Sequence, residues 1–182
     1  MFRRPIHRSL RRALRPEVHP LLQRANDLLA SGNYPAAADA FEQLARGAQA
    51  RGLPRDAQLF LQAGRCRVMA NQVPQGMADL KQGLAIIAGR GNWQHLSDAG
   101  QRVANELLQR GLAVEADEIQ AVLRNTLPAT FTAIPRNEPA ARKPLPTACS
   151  SCGGPLRSDE VEWIDDVSAE CPFCGGVVRA GS

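Results

Sequence analysis

The sequence predicts a mainly α-helical chain: six helices stacked as three hairpins, followed by a small three-stranded unit organised by four cysteines. Three observations predict it. Apolar residues recur at helical spacing through residues 17–125, a motif within that span returns with a period near 40, and two Cys-x-x-Cys pairs close the chain behind a proline-rich stretch. The composition agrees. Aromatic residues make up 4% of the 182 positions while 44% are hydrophobic, which suits packed Ala and Leu better than a sheet of β-branched and aromatic side chains.

The helices follow from their apolar rows. The first helix of each hairpin is read from Leu21, Ala25, Leu28 and Leu29; from Phe60, Leu61, Gly64 and Val68; and from Leu96, Gly100, Val103, Ala104 and Leu107. The second helices use Ala37, Phe41, Leu44, Ala45 and Ala48; then Gly76, Leu80, Gly83, Leu84 and Ile87; then Leu112, Ala116, Ile119 and Leu123. The repeat is explicit in Ala25-Asn26-Asp27-Leu28-Leu29-x-x-Gly32, which returns 79 residues later as Ala104-Asn105-Glu106-Leu107-Leu108-x-x-Gly111. A degenerate copy at Gly64-Arg65-Cys66 carries Asn71 in the place of the glycine. Breaks fall at Gly32-Asn33, Gly52-Leu53-Pro54, residues 71–74 and Gly91-Asn92. Small residues at the crossing points predict close approach of paired helices.

The stretch from Ala25 to Ala45, with Gly32-Asn33-Tyr34 leading into Ala37, Phe41 and Leu44-Ala45, resembles a tetratricopeptide repeat, and the other two units resemble degenerate copies. Long inter-repeat loops, and the lack of a large aromatic early in most first helices, depart from the family pattern. That family and an unrelated array of helical hairpins both predict a solenoid. The resemblance implies that Asn26, Arg65 and Asn105, at equivalent repeat positions, line a concave groove and hold a peptide. The lysine that usually precedes such an asparagine by one turn is Leu22 here, which argues against a carboxylate clamp.

Residues 126–147 contain Pro128, Pro135, Pro139, Pro144 and Pro146 and read as a semi-extended linker between two independently folding modules. Leu127, Phe131 and Ile134 are placed to fold back over the last helix. Residues 148–182 form the second module. Cys149-Ser-Ser-Cys152-Gly-Gly and Cys171-Pro-Phe-Cys174-Gly-Gly are separated by 18 residues. Two residues between cysteines let a tight turn aim both sulfurs at one ion, and the glycines after each pair permit a left-handed backbone. Four thiolates fill a tetrahedral site and leave no position for substrate, so one structural Zn²⁺ is expected on Cys149, Cys152, Cys171 and Cys174. Val161, Trp163 and Val167 mark short strands around an Asp165-Asp166 turn, and Val177-Val178 mark a third. The unit resembles a zinc ribbon. Cys-Pro-x-Cys-Gly also resembles rubredoxin, but rubredoxins have a longer insert and a richer aromatic core, which favours zinc over iron.

Charge is segregated. Arg3, Arg4, Arg8, Arg11, Arg12 and Arg15 give residues 1–15 a charge of +6, residues 16–125 are neutral, and residues 148–182 carry −4. Phe2, Ile6, Leu10 and Leu14 between those arginines make a short basic amphipathic tail over residues 1–16, suited to anionic lipid, nucleic acid or the acidic ribbon. The ribbon's own acidity argues against phosphate binding there. Cys66 aligns with Asp27 and Glu106 in the repeat, so burial is not required of it. No nucleophile elbow, paired catalytic carboxylates or HExxH motif is present, and no small-molecule substrate is expected. The absence of a long apolar run or signal-like segment predicts a cytoplasmic protein. Function is expected to be that of a non-enzymatic protein–protein adaptor. The alternatives are a nucleic-acid-associated regulatory protein or a membrane-surface adaptor working through the arginine tail.

Overall fold

A computed structural model describes residues 19–133 and 144–181. Six helices come first: α1 (Pro20–Ala30), α2 (Tyr34–Ala50), α3 (Asp56–Met69), α4 (Val73–Gly89), α5 (Trp93–Gln109) and α6 (Ala113–Thr126). Three short strands follow: β1 (Glu162–Asp165), β2 (Ser168–Glu170) and β3 (Val177–Arg179). Each helix packs on the next, most extensively α3 on its two neighbours α2 and α4.

Local chemistry sets the helix ends. Asn33 and Asn92 cap α2 and α5, their Oδ1 atoms accepting from the amides of Ala36 and His95. Pro20, Pro35 and Pro74 sit in first turns, where a missing N–H costs nothing. The three equivalent repeat positions Gly32, Asn71 and Gly111 all take left-handed backbone after α1, α3 and α5. Asn71, at φ 61°, does what the glycines do elsewhere.

The close helix crossings are also as the small residues predict. A Cβ on Gly64 would lie 2.7 Å from Leu80 Cγ and 2.8 Å from the Gly76 carbonyl oxygen. One on Gly76 would lie 2.8 Å from Val68 Cγ2, so α3 and α4 meet backbone to backbone. In α5, a Cβ on Gly100 would strike Leu123 of α6 at 2.5 Å. After α6 the chain turns back, and Leu127 packs against the last helices while Phe131 is half-buried. Ile134 lies outside the described residues.

The strands form one antiparallel sheet in the order β1-β2-β3, pairing Trp163 with Ala169 and Ala169 with Val178. The hairpin turn is Asp166-Val167, one residue later than the sequence suggests, because Asp165 Oδ1 accepts the Val167 amide at 2.8 Å and closes the turn from inside the strand end. Val167 is therefore in the turn and exposed, not in a strand. Residues 144–147, within the stretch read as linker, already bond to the ribbon. The Pro144 carbonyl accepts from Gly181, Thr147 accepts from Leu156, and Leu145 packs inward.

Where the sequence suggested separate modules, the structure packs the ribbon against the helices. The core divides along α3, not along the linker. One cluster joins α3–α6 through Leu61, Leu80, Leu84, Leu96 and Ile119. The other runs from Ala25, Phe41, Phe60 and Cys66 straight into Leu156, Val161, Phe173 and Val178 of the ribbon. The Phe41 and Phe173 rings stand 6.4 Å apart, tilted by 41°. A ribbon of some forty residues has little apolar interior of its own, so burying its inner face on the helices adds stability that the metal alone does not supply.

Candidate metal centre and the surface that holds it

The two cysteine pairs are built alike. In each, the amide of the first cysteine donates to the second glycine's carbonyl (Cys149 to Gly154 at 2.8 Å, Cys171 to Gly176 at 2.9 Å). The amide of the first glycine returns to the first cysteine's carbonyl (Gly153 to Cys149 at 2.8 Å, Gly175 to Cys171 at 2.9 Å). Closing that loop requires the left-handed backbone of Gly153 (φ 74°) and Gly175 (φ 71°), which a Cβ would strain. Backbone amides also point at sulfur, Ser151 to Cys149 and Gly176 to Cys174, each at 3.4 Å.

All four cysteines are buried, and their Sγ atoms lie within 4.8 Å of one another. Cys149 and Cys174 are 3.8 Å apart, as are Cys152 and Cys171. A tetrahedron of metal–sulfur bonds of about 2.3 Å has edges of about 3.8 Å, so the residues fit one tetrahedral ion. Left to share protons, the thiols are forced apart. Hydrogen bonds to Cys171 and Cys174 push the Cys152 thiol up, while hydrogen bonds from Cys152 and Cys171 draw Cys174 down to about 2. A divalent cation resolves that conflict by accepting all four as thiolates.

Beyond the Phe41–Phe173 contact from α2, the polar surface that carries the ribbon comes from the first helix of each pair. Asn26 of α1 is 2% exposed and donates Nδ2 to the Cys152 carbonyl at 2.7 Å, inside the first cysteine loop. Arg65 of α3 reaches Glu106 of α5 at 2.8 Å and Glu160 of the ribbon at 2.7 Å. Burial alone would lower the Arg65 pKa, but Glu160 and Glu106 outweigh it and the net shift is upward. Arg157 of the ribbon returns to Glu106 at 2.5 Å. Arg102 of α5 donates to the Asp159 carbonyl at 3.1 Å, and Arg55, just before α3, pairs with Glu170 at 3.2 Å. Asp159, Glu160 and Glu170 of the ribbon are thus matched by arginines of the helical part.

Among the residues singled out for a groove, Asn26 and Arg65 meet the ribbon of their own chain. Asn105 is exposed, and its neighbour Glu106 joins the network instead, as Arg102 does. Cys66 is 0% exposed, contrary to the latitude its repeat position allows, because it faces the cluster shared with the ribbon. Burial holds its thiol at about 12, an unreactive value. The six tail arginines, Arg3 to Arg15, lie outside the described residues.

Sequence reasoning missed Arg102, Glu106, Arg157 and Glu160. The signal was the charge imbalance of residues 148–182, which called for cations elsewhere in the chain. No helix among the described residues is long and apolar enough to cross a membrane. No protein-family model, curated protein or solved structure matches this chain, so its reading rests on the residues and geometry above.

Proposed function

We propose that the chain is a non-enzymatic protein–protein interaction adaptor: a tetratricopeptide-like helical solenoid whose inner face carries a structural zinc ribbon. The observation that supports it best is the closed four-sulfur site docked through Asn26 and Arg65 onto the helical scaffold. Such a site leaves no coordination position for substrate, and its work is to fix a surface. The sulfurs sit near the corners of a tetrahedron that zinc or iron would fill, and zinc is preferred because the insert between the knuckles is short.

Zinc assignment is tested by metal analysis and X-ray absorption of the purified chain. One ion per chain with four sulfurs at about 2.3 Å is expected, and iron or substoichiometric metal overturns the assignment. The adaptor role is tested by affinity capture with the full-length zinc-loaded chain and reconstitution with the purified partner. Retention of nucleic acid or anionic vesicles alone, lost on deletion of residues 1–15, would replace it with one of the readings that the +6 tail supports.

A further inference from the structure

Between the helices and the docked ribbon lies a cleft of about 600 Å³, within the size range of ligand sites. Its helical wall includes Leu29, Val68, Val103 and Leu107, and its ribbon wall includes Pro155 and Arg157. Neither module forms it alone.

Two polar groups in this cleft have unfilled bonding capacity. Gln62 of α3 is 6% exposed, and its amide has no hydrogen-bond partner among the described residues. It is not sealed into the core, so its remaining accessibility opens onto the cleft. A carboxamide offers a donor and an acceptor together, the complement of a peptide unit. A side chain this buried gains from a ligand that uses both. Arg110, at the C-terminal end of α5, lines the same cleft and forms no ion pair among the described residues. The other cations of the cleft differ from it. Arg65 and Arg157 are already neutralised by Glu106 and Glu160. The lining therefore carries one uncompensated positive charge beside an apolar wall.

We infer that this composite cleft binds an extended peptide segment that pairs an apolar side chain with a nearby carboxylate. The apolar side chain packs on Leu29, Val68, Val103 and Leu107. A backbone amide meets Gln62, and the carboxylate meets Arg110. This rests on the adaptor reading and names the partner chemistry it implies. Because Pro155 and Arg157 belong to the ribbon, the site exists only while the ribbon is docked.

Panning a phage library of random heptapeptides against the full-length zinc-loaded protein tests this without assuming a sequence. Enrichment of peptides with Leu, Ile or Phe within a few positions of Asp or Glu is expected. Synthetic versions should lose about tenfold in affinity on Arg110→Glu, a change at an exposed residue that leaves the fold intact. Gln62→Leu should weaken the same peptides several-fold. Enrichment of basic peptides, or affinities unchanged by both substitutions, overturns the assignment. No enrichment overturns it as well, whereas the adaptor reading falls only if the intact chain also captures no protein.

Discussion

Replacing Glu160 with Met isolates the contact that ties the ribbon to the helices. The Glu160 side chain is 6% exposed and accepts from Arg65, itself 13% exposed, at 2.7 Å, with Arg102 at 3.6 Å and Arg157 at 3.9 Å. Removing one partner of a buried pair costs about 3–5 kcal/mol, because the surviving charge stays desolvated. Glu106 still serves Arg65, so the lower end, about 3 kcal/mol, applies to Glu160→Met. For a chain of this size that is a fall in Tm of roughly 6–12 °C. Arg65→Met should cost a similar amount, since Glu160 then keeps only the longer contacts to Arg102 and Arg157 while Glu106 keeps Arg157. The double variant should cost about 2 kcal/mol less than the two singles together, since no charge is then left unpaired across this contact. Urea denaturation followed by circular dichroism at 222 nm measures all four corners of the cycle. Coupling below about 0.5 kcal/mol, with helix melting unchanged by either single substitution, would refute a ribbon held by this pair.

Further outcomes follow from other contacts. Cys171→Ser should lose stoichiometric metal and also lower the melting temperature of the helices, because Phe41 and Phe60 share their core with Phe173. Unchanged helix stability would restore the picture of separate modules. Gly64→Ala should destabilise by about 2 kcal/mol in urea, since the added Cβ would stand 2.7 Å from Leu80 Cγ with backbone behind it; a neutral result would mean α3 and α4 can separate freely. Cys66 should resist a thiol reagent in the folded zinc-loaded chain and react on unfolding, and rapid native labelling of that residue contradicts its burial. Burial pushes the Glu42 pKa up, but Arg46 and Arg67 pull it below its ordinary 4.5 overall. Its contribution is therefore present above that value and is lost as pH falls through the lowered pKa. Glu42→Gln should flatten stability against pH below about pH 5, and an identical acid limb in both proteins would remove that role.

What was legible in the sequence is what neighbouring residues determine. The repeat placed Gly32, Asn71 and Gly111 at helix ends, and all three take the left-handed backbone the repeat implies. The cysteine spacing placed four sulfurs around one point, since each loop is closed by bonds among six consecutive residues. Contacts between distant segments left no such pattern. Arg65 and Glu160 are 95 positions apart, and each alone reads as an ordinary surface charge. The row read for α1, Leu21, Ala25, Leu28 and Leu29, does face the core, but it leaves out Leu22 and Asn26, which are also buried. A polar Asn26 whose Nδ2 donates to a ribbon carbonyl 126 positions away does not register as apolar periodicity. The Asp165 turn slipped by one residue because an Asx bond, not the Asp-Asp pair, sets its position.

Hydrogen exchange of the full-length chain, zinc-loaded and after chelation, tests most directly whether the ribbon is part of the helical fold. The account predicts that chelation removes protection from residues 144–181 and, at the same time, from α1 and α3, whose Asn26 and Arg65 hold the ribbon. α6 lies in the other core and should change little. Loss of protection confined to residues 144–181, with α1 and α3 unchanged, would contradict it.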